Sequence, residues 1–120
     1  MTDVLNMMGA IATMMMGAMG LFAPKVAAGF TGLKAVTSEG QSEFRATYGG
    51  LFIGLGGLAI FTLNPYAFAT VALAWFGAAA GRLISILLDQ TRTTKNMGAV
   101  MFEAAFGVAL IVGVPWNTVF

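Results

Sequence analysis

Long apolar runs separated by short polar stretches set the pattern of this chain. The first covers residues 4–22, with only Asn6 and Thr13 as polar interruptions, and stops at Ala23-Pro24-Lys25. A second covers residues 46–63 and closes at Asn64-Pro65. Proline is tolerated in the first turn of a helix, so Pro65 opens a third run that continues to Leu88. The fourth covers residues 97–114 and is ended by Pro115. Each approaches the roughly 20 residues that a helix needs to cross a bilayer, so the pattern predicts four transmembrane helices.

The polar stretches complete the topology. Residues 24–45 form the longest connection, with Lys25, Lys34, Glu39, Glu43 and Arg45 as its charges and Gly29, Gly32 and Gly40 as breakers. Its middle, residues 26–36, is mildly amphipathic and suits the plane of the interface. Ser42 reads as the N-cap of the second span, which puts Glu43 in the first turn where the helix dipole favours an acid. Residues 89–96 make a short polar loop with Arg92 and Lys95, and the tight Asn64-Pro65 turn makes the second and third spans antiparallel neighbours.

Composition agrees with the pattern. Of 120 residues 58% are apolar and 9% charged, too few charges to cover the surface of a soluble domain. The expectation is one all-α domain over residues 1–120, an integral membrane four-helix bundle. A formal charge of +1 without a clustered basic face excludes a nucleic-acid surface. Cysteine and histidine are absent, which removes disulfides, thiol nucleophiles and the usual ligand sets for zinc, copper, haem and iron–sulfur clusters. No metal or cofactor is expected. The first run lacks a basic n-region and is expected to be a retained span and not a signal peptide.

Basic residues fix the expected orientation. Lys25, Lys34, Arg45, Arg92 and Lys95 all fall in the two polar loops, while the termini and the Asn64-Pro65 turn hold no Lys or Arg. The positive-inside rule then puts loops 24–45 and 89–96 in the cytoplasm and both termini on the outer side. Tyr66, Phe68, Trp116 and Phe120 are expected in an aromatic belt on that outer face.

Two ionisable residues fall inside the spans, and each needs a partner because a charge in hydrocarbon costs several kcal/mol unless paired or hydrated. Arg82 lies near the end of the third span and Glu103 near the start of the fourth, each roughly 9 Å deep at a rise of about 1.5 Å per residue. Matching depth on neighbouring antiparallel helices predicts an Arg82–Glu103 ion pair facing the interior. Arg82, Ser85 and Asp89 share one helical face, as do Asn96 and Glu103. Glu43, Arg45 and Tyr48 approach from the same cytoplasmic side, giving a cluster that is either a structural clasp or a proton, ion or head-group site.

Small residues give a second signal. Gly50, Gly54 and Gly57 on the second span, with Gly77 and Gly81 on the third, have the spacing that lets helices pack closely, either within the chain or as a homodimer seam. Met7, Met8, Met14, Met15, Met16 and Met19 crowd the first span; thioethers bind Cu(I), but without Cys or His adaptable packing is the better reading. Trp75 sits mid-span as a packing residue whose indole N–H needs an acceptor. The GLGG at residues 54–57 has no charge nearby and is no nucleotide loop. Nucleophile, base and orienter never fall together, so no enzyme is expected.

The stretch Glu43-Phe44-Arg45-Ala46-Thr47-Tyr48-Gly49-Gly50, followed by Gly81-Arg82 and by Glu103, resembles the bacterial membrane family known as domain of unknown function 4345, short four-helix proteins with an E-x-R-x-x-Y-G-G stretch. The resemblance spans nearly the whole chain. It implies the four-helix architecture and that Glu43, Arg45, Tyr48, Arg82 and Glu103 matter together; it brings no activity. The expected location is the bacterial inner membrane, with both termini periplasmic. Three functions stay open. The first is a non-catalytic accessory or structural subunit of a membrane complex or homo-oligomer. The second is a small proton- or ion-coupled transporter working through Glu103 and Arg82. The third is an anionic-lipid-binding protein using Lys34, Arg45 and Arg82.

Overall fold

The computed structural model describes residues 2–112 and residue 114. Among these there are five helices and no strand: α1 (Thr2–Phe22), α2 (Pro24–Thr31), α3 (Ser38–Thr62), α4 (Pro65–Leu88) and α5 (Thr94–Val112). Four of them, α1, α3, α4 and α5, are long and apolar enough to cross a membrane. Pro115, Trp116 and Phe120 lie outside the described residues.

The stretch expected as a loop over residues 24–45 is largely helical. Proline at the first turn starts α2, and Gly32, in the left-handed region at φ 79°, ends it while its N–H returns to the carbonyl of Ala28. Helix α3 begins at Ser38, not at residue 46. Its cap is Thr37 and not Ser42: the Thr37 backbone is extended and its hydroxyl accepts from the Gly40 N–H at 2.9 Å. Hydropathy marks where a helix enters hydrocarbon, whereas the cap marks where the backbone bonds begin, and here the two differ by two polar turns. Similarly, α5 starts at Thr94, where Thr93 accepts from the Asn96 N–H at 3.1 Å.

Within α3, residues 46–50 form one wide π turn, closed by the Leu51 N–H on the carbonyl of Ala46. The α3–α4 connection is compact. Leu63 takes a left-handed conformation and Asn64 caps α4 through its side-chain oxygen, 2.8 Å from the Tyr66 N–H. Past the other end of α4, Gln90 also has φ 55°, a conformation that favours glycine. Gln90→Gly is expected to stabilise the protein by about 1 kcal/mol, read as a higher midpoint of SDS-induced unfolding in mixed micelles.

The described residues form two compact units. One holds the residues through Gly9 with those from Asn64 onward; the other holds Ala10–Leu63. In the first, α4 turns Phe68, Val71, Ala72, Trp75 and Ala79 inward at helical spacing, and α5 answers with Glu103, Gly107 and Leu110. Trp75, Phe102 and Phe106 form an aromatic slab with ring centroids 4.6 to 6.3 Å apart. Phe68 belongs to this core at 5% exposure, not to an exposed aromatic belt, whereas Tyr66 is 57% exposed. The face of α4 that packs decides this, and hydropathy alone cannot tell one apolar face from another.

In the second unit α1 and α3 touch backbone to backbone. A Cβ at Gly20 would lie 2.1 Å from the Tyr48 carbonyl oxygen, and one at Gly49 would lie 2.9 Å from the Leu21 Cα. Gly17 and Gly56 are closed in the same way, by Gly49 with Ile53 and by Ala10 with Met14. The glycines singled out by spacing are placed otherwise: Gly57 lies against Met14, while a Cβ at Gly50, Gly54, Gly77 or Gly81 would meet nothing within 4 Å.

Large apolar side chains point outward along every long helix, among them Met15, Phe61, Leu87 and Met101, all more than 65% exposed. The interior is made instead of alanine and glycine with a few large residues. That distribution suits helices whose solvent is acyl chain, where close backbone packing replaces the hydrophobic drive.

Candidate functional site

Polar residues of the α4–α5 unit converge at the C-terminal end of α4. Arg82, Ser85 and Asp89 lie on one face of that helix and Asn96 and Glu103 on one face of α5. The Arg82 Nε donates to Glu103 Oε1 at 3.0 Å and its Nη2 to Oε2 at 3.4 Å, a fork-on-carboxylate geometry that fixes direction as well as charge. The third guanidinium nitrogen donates to Asn96 Oδ1 at 2.9 Å. Asn96 in turn donates to the Thr91 carbonyl at 2.7 Å, and the Thr91 hydroxyl lies 3.1 Å from that of Ser85, which donates to Asp89 at 2.9 Å. One chain of hydrogen bonds therefore runs from Glu103 to Asp89.

The two charges are not equally covered. The Glu103 side chain is 11% exposed and that of Arg82 27%, so the carboxylate depends on the guanidinium while the guanidinium keeps an open side. A carboxylate that accepts from two N–H donors of one guanidinium is fixed in direction as well as in distance. Thr91 is the member that sequence reasoning missed. It lies in a loop where no periodicity marks it, and it joins the network partly through its main-chain oxygen.

Glu43, Arg45 and Tyr48 belong to the other unit, where each has its own partner. Glu43 accepts from the Thr47 hydroxyl at 3.1 Å. Tyr48 packs at a tilt against Phe44, with ring centroids 4.8 Å apart, and against Phe52. Arg45 donates to the carbonyl of Leu21. The last turn of a helix leaves such carbonyls unpaired and carries the negative end of the dipole, so a guanidinium there serves as a C-terminal cap for α1. The E-x-R-x-x-Y-G-G stretch thus builds the α1–α3 contact: Arg45 ties off α1, Tyr48 contributes its carbonyl, and Gly49 admits Leu21.

The class so defined is an all-helical protein with four helices of membrane-crossing length and a part-buried Arg–Glu network at one helix end. The chain belongs to the family described as Domain of unknown function (DUF4345), whose model matches residues 1–114. No curated protein and no solved structure matches it.

Proposed function

We propose that this is a small, non-catalytic multi-pass protein of the bacterial inner membrane that acts as an accessory or structural subunit, in a homo-oligomer or a larger membrane complex. The observation that carries this reading is the Arg82–Glu103–Asn96 geometry. A carrier that moves protons needs a carboxylate able to part from its counter-charge. Here both carboxylate oxygens are engaged and the guanidinium is anchored a second time by Asn96, which supports a clasp between α4 and α5 over a titrating site.

The outward-facing apolar side chains and the open glycine faces of α3 and α4 supply surface for lipid and for neighbouring subunits. The basic residues of the two polar segments orient the chain with these segments in the cytoplasm and both termini in the periplasm. Because the chain has no cysteine, single cysteines report this directly. A membrane-impermeant maleimide is expected to label Tyr66→Cys and not Thr94→Cys in intact spheroplasts. The reverse pattern would refute the orientation. Crosslinking in native membranes is expected to recover a second copy or a partner subunit, and a strictly monomeric protein with no crosslinked neighbour would remove the subunit reading.

A further inference from the structure

Three basic residues are natural candidates for anionic lipid, Lys34, Arg45 and Arg82, and the structure commits two of them elsewhere. Arg82 is held by Glu103 and Asn96, and Arg45 by the Leu21 carbonyl. Lys34 and Lys25 have no such partner among the described residues. These two lysines line one groove, with a volume of about 300 Å³, whose walls are α2, the segment after it, and the first turns of α3. Pro24, Ala28 and Phe44 give it an apolar floor and Gln41 adds an amide.

We propose that this groove seats the headgroup phosphate of an anionic phospholipid, with Lys25 and Lys34 as its counter-charges; this deepens the membrane reading above and rests on it. Charge complementarity selects the groove. A neighbouring cleft of about 230 Å³ shares Lys34 and Phe44 but adds the Glu43 carboxylate, which repels a phosphate, whereas no acid lines the Lys25–Lys34 groove. The acids nearby in the chain are turned to other partners: Glu39 accepts from Ser38 and Glu43 from Thr47.

Exposure supports the lipid as the source of that phosphate. Helix α2 leaves Val26 55% and Phe30 71% exposed, and the following segment leaves Leu33 49% and Val36 81% exposed. A short helix with bare apolar side chains and flanking lysines is the pattern that lies at the boundary of headgroups and acyl chains. A lipid there places its phosphate between the ammonium groups and its chains along the apolar side chains. A free phosphate uses the first contact only.

The test uses the full chain, delipidated in mild detergent and titrated with dioleoyl phosphatidylglycerol or dioleoyl phosphatidylcholine, with bound lipid counted by native mass spectrometry. Phosphatidylglycerol is expected to be retained in preference. Lys25→Gln and Lys34→Gln should each lower its retention about fivefold and together about 25-fold, the scale of one basic residue each near an anionic surface. Lys25→Arg with Lys34→Arg should stay within about twofold of the parent, and Arg92→Gln should match it. Equal retention of both lipids, a double glutamine variant that binds like the parent with an unchanged circular dichroism spectrum, or equal competition by inorganic phosphate would overturn the proposal. Failure of the membrane reading has a separate signature, release of the protein from membranes by alkaline carbonate.

Discussion

Removing either partner of the Arg82–Glu103 pair is expected to destabilise the protein, by about 3 kcal/mol where Glu103 is the survivor, because a charge that is buried or part-buried is left without its counter-ion. The losses should be unequal. Arg82→Met strands a carboxylate whose side chain is 11% exposed, whereas Glu103→Leu strands a guanidinium that is 27% exposed and still held by Asn96. Arg82→Met is therefore the more damaging change. The double variant Arg82→Met with Glu103→Leu removes both charges and should recover to within about 1 kcal/mol of the parent, since an apolar pair avoids the desolvation of two ions. Asn96→Ala should cost about 1 to 2 kcal/mol, the scale of a donor and an acceptor left without their side-chain partner.

SDS-unfolding midpoints of the four variants in mixed micelles measure this directly. Single variants that unfold with the parent, or a double variant no better than its worse parent, would dispose of the clasp. The double variant also separates the functional readings. A subunit whose network is structural keeps its crosslinked neighbours in the Arg82→Met, Glu103→Leu background. A proton-coupled carrier loses transport there, and at Glu103→Gln as well.

The same pair is legible in the sequence. Depth along two helices is linear in residue number, so two charges at equal depth on consecutive spans identify each other. The apolar runs were equally legible: residues 4–22 and 65–88 coincide with the hydrophobic segments of α1 and α4 because both are bounded by proline or by abrupt polar residues. Helix α3 was not, since its first two turns are polar and its start depends on one side-chain cap at Thr37. Helix α2 showed only as an amphipathic stretch, too short to announce itself by period.

Glycine spacing was the least reliable guide. It identifies which small residues share a face and is silent on whether that face turns inward. Gly50, Gly54, Gly77 and Gly81 share faces and stand open; Gly17, Gly20, Gly49 and Gly56 make the contacts. The π turn at residues 46–50 has no signature in composition at all, although the Tyr48 carbonyl and Gly49, which meet α1, both lie in it.

Gly20→Ala is therefore the second change with a large expected effect. The added methyl would lie 2.1 Å from the carbonyl oxygen and 2.6 Å from the carbonyl carbon of Tyr48, both backbone atoms that no rotamer change can move aside. Relief requires α1 and α3 to separate, which opens the neighbouring contacts at Gly17 and Gly56 and draws Leu21 away from Arg45. Overpacking of this kind costs about 3 kcal/mol and more where the obstacle is backbone. Gly54→Ala and Gly81→Ala meet open space and should gain about 0.5 kcal/mol from helix propensity. A Gly20→Ala protein that unfolds at the parental midpoint would refute the close approach of the two backbones. The open glycines carry a further discrimination, through Gly54→Leu and Gly81→Leu. If either leaves the unfolding midpoint in place but abolishes crosslinking, that face is a seam with a neighbouring subunit; if neither disturbs crosslinking, those faces meet lipid and the neighbours dock elsewhere.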